Sequence, residues 1–151
     1  MDIICYPKKL TGEIQAISSK SHAHRIFICA ALASSPTKVF LSPALSEDIK
    51  ATLGCLEALG AKFDIGEGSI KVTPIDQDNL PQNPLFDCKE SGATLRFMLP
   101  VVAALGSGGR FIGSGKLPQR PIGPLLDALN DGGVTTDNTQ LPLTIKGKLS
   151  K

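Results

Sequence analysis

Apolar positions along the chain follow helical or strand spacing, and short runs with Gly or Pro separate them. The clearest segment is residues 46–59, where apolar side chains recur at helical spacing: Ile49, Leu53, Leu56 and Leu59. Ser46 suits the N-cap, Glu47 and Asp48 suit the positive end of the helix dipole, and Gly60 suits the end of a helix. The pattern therefore predicts a helix between Ser46 and Gly60.

The same patterns predict the remaining elements. In the first half we predict a strand, a helix, a further strand and, after residues 46–59, a hairpin, at residues 13–17, 21–33, 38–41, 62–65 and 69–72. After a Pro-rich stretch at 81–84 we predict strands at 86–88, 110–112, 134–136 and 141–145 and helices at 91–105 and 121–130. Pro100 lacks a backbone donor, so it should kink or split the third helix.

The order of elements in the first half returns in the second half. Leu56-Glu57-Ala58-Leu59 recurs as Leu126-Asp127-Ala128-Leu129, and Arg25 corresponds to Arg96, at offsets of 70 and 71 residues. Self-similarity at a fixed offset indicates a tandem repeat. We therefore expect one α/β domain over residues 1–151, containing two similar units at 12–74 and 85–147.

Charge and composition narrow the class of protein. The chain has 16 basic and 14 acidic residues, which argues against a general polyanion binder with a dense basic face. It has no apolar run of bilayer length and no signal-like start, so we expect a cytoplasmic protein without a membrane partner. Its four cysteines are scattered, and we expect Cys29 and Cys55 to be buried as small hydrophobic residues. His22 and His24 have no nearby Cys, so we expect no metal site.

The first candidate for binding chemistry is a strand-to-helix turn at residues 18–25. Free backbone N–H groups at a helix start favour an anion, and Lys20, Ser21 and Arg25 add side-chain donors. Ser21 and Arg25 are four residues apart, so they share a helical face and can converge on one ligand. The alternative is a Ser cap followed by solvated basic side chains, and spacing alone does not decide between the two.

A similar turn at residues 90–96 is the second candidate. Gly92 would let a ligand approach the backbone closely, and Arg96 follows it four residues later. The alternative is a capped helix with a Gly in its first turn.

The third candidate is the loop at residues 113–122, where Arg120 precedes a Pro that suits the first helical position. Its Gly-Ser-Gly-Lys run is not a nucleotide-binding loop, because Arg110 replaces the required Gly and Leu117 replaces the Ser or Thr that holds magnesium. A helix end contributes about 0.3–1 kcal/mol towards binding a charge, and a charge-assisted hydrogen bond about 1.5–3 kcal/mol. No single turn would therefore hold a metabolite, whereas three converging turns could.

Together these segments resemble those of the EPSP synthase family, the 3-phosphoshikimate 1-carboxyvinyltransferases. The matching segments are Lys20-Ser21-x-x-x-Arg25, Ser91-Gly92-Ala93-Thr94-Leu95-Arg96 and residues 119–129. The resemblance covers nearly the whole chain. It implies an inside-out α/β fold of tandem βαβαββ units, with helices inside and sheets outside, of which this chain would hold the first two.

The resemblance also implies an activity. The family transfers the enolpyruvyl group of phosphoenolpyruvate to the 5-hydroxyl of shikimate 3-phosphate, and it uses no metal or other cofactor. The substrate-binding residues that it implies come from all three segments: Lys20, Ser21, Arg25, Gly92, Arg96 and Arg120. Lys20 would contact both substrates and act catalytically by stabilising a tetrahedral intermediate. Ser21 and Arg25 would bind shikimate 3-phosphate, Gly92 and Arg120 would line the phosphoenolpyruvate pocket, and Arg96 would support the site.

The chain departs from the family pattern at several positions. Glu90 stands where many members have Asn, Ala93 where many have Thr, and Lys116 where Arg is common. The sequence ends at Lys151, before a third unit and a second domain. We therefore expect an amino-terminal fragment without turnover, whose partner is the missing carboxy-terminal domain and whose uncovered apolar flank promotes self-association.

Two other classes fit the pattern less well. A related family that acts on UDP-N-acetylglucosamine carries a reactive Cys in the loop corresponding to 113–120, and this loop has no Cys. A non-catalytic repeat module could bind phosphorylated partners or RNA through its basic helix ends. The aromatic content of 5% and the absence of Trp leave few aromatic side chains on which nucleic-acid bases could stack, so we expect no nucleic-acid partner.

Overall fold

The computed structural model describes residues 3–9, 11–14, 18–41 and 45–150. Its first half contains α1 (Lys20–Ala31), β1 (Thr37–Phe40), α2 (Glu47–Ala58), β2 (Lys62–Gly66) and β3 (Ser69–Thr73). Its second half contains β4 (Leu85–Asp87), α3 (Gly92–Leu105), β5 (Gly109–Ile112), a short 3-10 helix (Leu117–Gln119), α4 (Gly123–Asp131), β6 (Thr135–Thr136) and β7 (Leu143–Lys146). None of the helices within these ranges is both long and apolar enough to cross a bilayer.

Each half of the chain forms its own sheet. The first sheet has the order β1-β3-β2 and is antiparallel throughout. The second has the order β4-β5-β7-β6, in which β4 runs parallel to β5 and the other pairs are antiparallel. The second half thus has the order βαβαββ. The described part of the first half has the order αβαββ, which is the same order without the first strand.

The strand predicted at residues 13–17 is the element that the first half would need in order to match the second half. Glu13 and Ile14 lie outside any strand, and residues 15–17 lie outside the described residues. The unit boundaries 12–74 and 85–147 therefore stay predictions.

The helices α1, α2 and α3 pack against one another, and each sheet covers them from one side. Phe27 of α1 meets Phe63 of β2 edge to face, with ring centroids 6.1 Å apart. In the second half, Phe86 and Phe111 stack at 4.6 Å within the parallel pair of strands. Phe27, Phe86, Phe111 and the fully buried Leu56 belong to one continuous core, and Phe63 packs against it. The helices lie inside and the sheets outside, as the family resemblance implies.

Three details of the predictions are wrong. Pro100 does not split α3, which runs through this residue as one helix from Gly92 to Leu105; the predicted kink stays a prediction. The last helix begins at Gly123 and has Pro124, not Pro121, in its first turn. Cys29 is exposed because the buried stripe of α1 passes through other positions: Ala23, His24, Phe27, Ala30 and Ala31.

Candidate functional site

The first turns of α1, α2 and α3 meet at Asp48. Its carboxylate accepts a hydrogen bond from the Lys20 ammonium at 2.7 Å, which joins the starts of α1 and α2. Its backbone carbonyl accepts one from the Thr94 hydroxyl at 3.2 Å, which joins the starts of α2 and α3. Three positive helix ends therefore lie side by side, and they belong to both halves of the chain.

Each of these helix starts is fixed by a serine cap. The hydroxyl oxygens of Ser19, Ser46 and Ser91 accept hydrogen bonds from the backbone N–H three residues later, at 3.4, 3.4 and 3.2 Å respectively. This is the usual N-cap geometry, and it explains why the helices begin where they do.

The ion pair between Lys20 and Asp48 is accessible to solvent. About half of the Lys20 side chain is exposed, and 30% of the Asp48 side chain. An exposed pair of this kind contributes little to stability because water screens both charges. A ligand oxyanion can therefore compete with Asp48 for the Lys20 ammonium at small cost to the fold.

Two arginine side chains lie over Gly92. A Cβ atom on Gly92 would be 2.8 Å from Nη1 of Arg96 and 2.8 Å from Nη1 of Arg120. Arg96 is held there by hydrogen bonds to the carbonyls of Gly92, at 3.2 Å, and Pro121, at 3.0 Å. The second bond ties the start of α3 to the loop that carries Arg120.

Neither of these arginines has a carboxylate partner among the described residues. The three ion pairs within them all use lysine: Lys20 with Asp48, Lys50 with Glu47, and Lys89 with Asp87. Two neighbouring guanidinium groups repel each other unless an anion lies between them. Both side chains are exposed, so the start of α3 presents an accessible position for a phosphate or carboxylate.

Arg25 lies between α1 and α3. Its guanidinium donates a hydrogen bond to the Ser21 carbonyl at 2.7 Å, and it lies 4.8 Å from the centroid of the Phe97 ring. Ser21 and Arg25 thus occupy the same exposed face of α1, while the cation–π contact fixes the guanidinium next to α3.

Glu90, the position that departs from the family pattern, contacts the third candidate loop. A Cβ atom on Gly115, where φ is +56°, would overlap the Glu90 carboxylate. The loop therefore passes close to this side chain, and residue 115 has a left-handed backbone conformation that favours Gly.

A buried polar chain behind the site was not evident from the sequence. It runs from His24 through Thr52 and Thr94 to Ser91, and all four residues are at most 1% exposed. Burial lowers the pKa of His24, and the nearby Asp48 carboxylate partly opposes this effect. The one feature of the sequence that could have indicated this chain is that His24, Thr52 and Thr94 lie on helix faces that are otherwise apolar. In the described part of the chain, no three or more His, Cys, Asp or Glu side chains cluster as a metal site would require.

The fold and these contacts define a class: an inside-out α/β repeat protein whose helix starts gather cations from both repeats. A family model for EPSP synthase (3-phosphoshikimate 1-carboxyvinyltransferase) matches residues 4–151. The chain belongs to the EPSP synthase family.

Individual relatives agree with this assignment. The 3-phosphoshikimate 1-carboxyvinyltransferase of Methanocorpusculum labreanum is 40% identical over an alignment of 156 residues that covers 99% of this chain and 36% of the relative. That of Clostridium kluyveri is 38% identical over 146 residues, covering 95% and 34%. The chain thus spans about a third of the length of these relatives. Solved EPSP synthase structures from Acinetobacter baumannii share the fold, one with a TM-score of 0.78 at 20% identity over 92% of this chain and 32% of that one.

Proposed function

We propose that this chain forms a substrate-binding part of a cytoplasmic 3-phosphoshikimate 1-carboxyvinyltransferase. Such an enzyme transfers the enolpyruvyl group of phosphoenolpyruvate to the 5-hydroxyl of shikimate 3-phosphate and releases phosphate, on the route to aromatic amino acids. The observation that carries the proposal is the pair of arginines over Gly92, which has no carboxylate partner in the described residues. The names of the relatives support the substrate assignment.

The chemistry of the two substrates fits these side chains. Each substrate carries a phosphate and a carboxylate, and the planar fork of an arginine matches either group. In the proposed complex, Arg120 and the Gly92 backbone bind phosphoenolpyruvate, and Arg96 holds the loop of Arg120 in place. Ser21 and Arg25 bind shikimate 3-phosphate.

Lys20 has the catalytic role in this proposal. Its ammonium exchanges Asp48 for substrate oxygens, and it stabilises the negative charge that develops in a tetrahedral intermediate. Its partner Asp48 also binds Thr94 at the start of α3, so the Lys20 ammonium lies near helix starts from both halves of the chain.

The chain alone is expected to bind its ligands weakly and to show no turnover. We expect a Kd no tighter than about 1 mM for shikimate 3-phosphate, which corresponds to about 4 kcal/mol. The remaining contacts would come from the part of the enzyme that lies beyond the third covered here.

An NMR titration of the ¹⁵N-labelled chain with shikimate 3-phosphate and phosphoenolpyruvate tests the proposal. Saturable shifts at Lys20, Ser21 and Arg25, and at Gly92 with phosphoenolpyruvate, are the expected result. Shikimate without its phosphate is the matched ligand control and should cause no such shifts. Tighter, salt-sensitive binding of a single-stranded RNA, without a response to either substrate, would instead favour a non-catalytic binding module.

A further inference from the structure

Phe97 of α3 contacts two consecutive residues of α1. The centroid of its ring lies 4.8 Å from Cζ of Arg25 and 6.3 Å from the centroid of the His24 ring. Phe97 is half-buried, His24 is fully buried and Arg25 is exposed. The ring therefore lies at the boundary between the packed helices and solvent.

The contact with His24 anchors the Phe97 ring on its buried side. Nδ1 of His24 lies 2.7 Å from the hydroxyl oxygen of Thr52, which ties the imidazole of α1 to α2. Because α3 packs against both of these helices, all three helices determine where the Phe97 ring lies. The ring is thus a fixed surface next to Arg25.

The contacts of Arg25 leave part of its guanidinium free to bind a ligand. Nη1 donates a hydrogen bond to the Ser21 carbonyl at 2.7 Å, one turn back along α1. A cation–π contact attracts the charge of the guanidinium and, unlike a carboxylate partner, leaves N–H donors for a ligand. Arg25 has no other hydrogen-bond partner and no carboxylate partner among the described residues. Its remaining N–H groups are therefore available to an oxyanion.

The contact with Phe97 also limits the conformations of the Arg25 side chain. An exposed arginine samples many rotamers, and a ligand that binds it must order them at a cost in free energy. A side chain that is already held near its binding position lowers that cost and so strengthens binding. Without the ring, the Ser21 carbonyl would be the one remaining contact of the guanidinium within the described parts of the chain.

We infer that Phe97 is a positioning residue for shikimate 3-phosphate, because its ring holds the Arg25 guanidinium with N–H donors free for an oxyanion of the ligand. The inference rests on the proposed function for the identity of that ligand. Phe97 belongs to the second half of the chain and Arg25 to the first. Ligand binding by the first half therefore depends on the packing of α3.

The contact can be measured by NMR on the unmodified, ligand-free chain. The ring current of Phe97 should move the Nε–H and δ-methylene protons of Arg25 to lower frequency. This shift should persist in Phe97→Tyr, which keeps an aromatic ring, and disappear in Phe97→Leu. Ordinary side-chain shifts for Arg25 in the unmodified chain overturn the inference, whether or not any ligand binds.

The same variants test the effect on binding, with shikimate 3-phosphate as the probe. Phe97→Leu keeps an apolar side chain but loses the cation–π contact, so we expect binding to weaken by about two- to fivefold. Phe97→Tyr should bind to within about 1.5-fold of the unmodified chain. Phe63→Leu is the matched control and should leave binding unchanged, because this half-buried ring meets Phe27 edge to face and lies on β2.

Phosphoenolpyruvate provides a second readout that a merely structural role would not separate. Gly92 and Arg96 lie on the same helix as Phe97, and they belong to the proposed position for phosphoenolpyruvate. We expect Phe97→Leu to weaken the binding of shikimate 3-phosphate and to leave that of phosphoenolpyruvate unchanged. An equal loss for both ligands would mean that the substitution distorts α3, and it would overturn the inference.

The outcomes separate this inference from the proposed function. Equal affinity of the unmodified chain and Phe97→Leu for shikimate 3-phosphate, with the ring-current shift present in the former, overturns the positioning role and leaves the proposed function standing. No response of the unmodified chain to shikimate 3-phosphate refutes the proposed binding and with it the role of Phe97. The ring-current measurement then still decides whether Phe97 holds Arg25.

Discussion

Arg96 and Arg120 come from different segments of the chain, and each places a guanidinium nitrogen 2.8 Å from the same point, the position of a Cβ atom on Gly92. The two cations are adjacent because Arg96 binds the carbonyl of Pro121, the residue that follows Arg120. An arrangement that brings two positive charges together without a carboxylate costs free energy in the absence of a ligand. An anion at Gly92 would recover that free energy.

Substitution of Gly92 by Ala should impair anion binding much more than folding. The backbone of Gly92 is not in the left-handed region, and the atoms that a methyl group would meet are ends of flexible arginine side chains. We expect a change of less than about 1 kcal/mol in the free energy of unfolding, and phosphoenolpyruvate binding weakened by at least about tenfold. Urea unfolding and NMR titration measure the two effects. An unchanged affinity would mean that the ligand does not approach Gly92.

Arg120→Gln should weaken phosphoenolpyruvate binding by about 10- to 100-fold, because it removes a charge-assisted hydrogen-bond donor of about 1.5–3 kcal/mol. Arg120→Lys should recover only part of the loss, since an ammonium cannot form the planar fork. Lys50→Met is the matched control, because it removes one exposed positive charge that is paired with Glu47 outside the site. If the Lys50 variant lost as much affinity as the Arg120 variant, the effect would be one of net charge alone.

The stability of the chain should fall as the pH is lowered from 7.5 to 5.5. Burial, together with the nearby Lys20 and Arg25, lowers the pKa of His24 below 6.5, and Asp48 only partly opposes this. The unfolded chain therefore takes up a proton that the folded chain does not, so the stabilisation is complete above pH 6.5 and is lost as the pH falls below it.

Urea unfolding at the two pH values checks this prediction. The unmodified chain should lose up to about 1 kcal/mol over this interval, and His24→Asn should lose much less. His22→Asn, at an exposed position, should behave like the unmodified chain. Equal pH dependence in the unmodified chain and the His24 variant would contradict the account.

Two of the four cysteines should react rapidly with a thiol reagent under native conditions. Cys5 and Cys29 are exposed, whereas Cys55 and Cys88 are buried. The hydrogen bond to Cys88 and burial raise the pKa of Cys55, so it carries little of the reactive thiolate. A colorimetric thiol assay should count two fast thiols in buffer and four in denaturant. The Cys29→Ser variant should show only one fast thiol in buffer, which would assign the other fast reaction of the unmodified chain to Cys29.

The chain should self-associate through the apolar surface between α1 and β1. Phe40 is 76% exposed on β1, which forms hydrogen bonds to β3 alone among the described strands, and Cys29 lies on the neighbouring face of α1. An open strand edge beside exposed apolar side chains favours association. Sedimentation velocity should show dimers at high concentration, fewer for Phe40→Ser than for the matched variant Ile65→Ser on β2. A clean monomer at every concentration would contradict this prediction.

The sequence predicted most of the helices and strands because their apolar spacing is local. Ser46, Ser91 and Gly60 mark ends of helices through the chemistry of single residues, and the structure agrees with these ends to within one or two positions. Its errors at Cys29 and Pro100 have another origin. At Cys29 the packing of neighbouring elements decides the outcome, and spacing along one helix does not reveal which stripe of that helix is covered.

The contacts of the site were less predictable than its residue types. Spacing identified the basic residues at helix starts, but Asp48 was assigned only to the dipole of its own helix. Its contacts with Lys20 and Thr94 depend on how three helices from both halves pack. The hydrogen bonds of His24 depend on the same packing, and a single sequence carries no local signal for them.

A crystal structure of the chain with shikimate 3-phosphate and phosphoenolpyruvate bound tests the central claim most directly. We predict that the Lys20 ammonium leaves Asp48 for a substrate oxygen, and that Arg120 binds an oxyanion of phosphoenolpyruvate in the same pocket. Ligands found on another surface, with the ion pair between Lys20 and Asp48 intact and Arg120 without contact to either substrate, would contradict it.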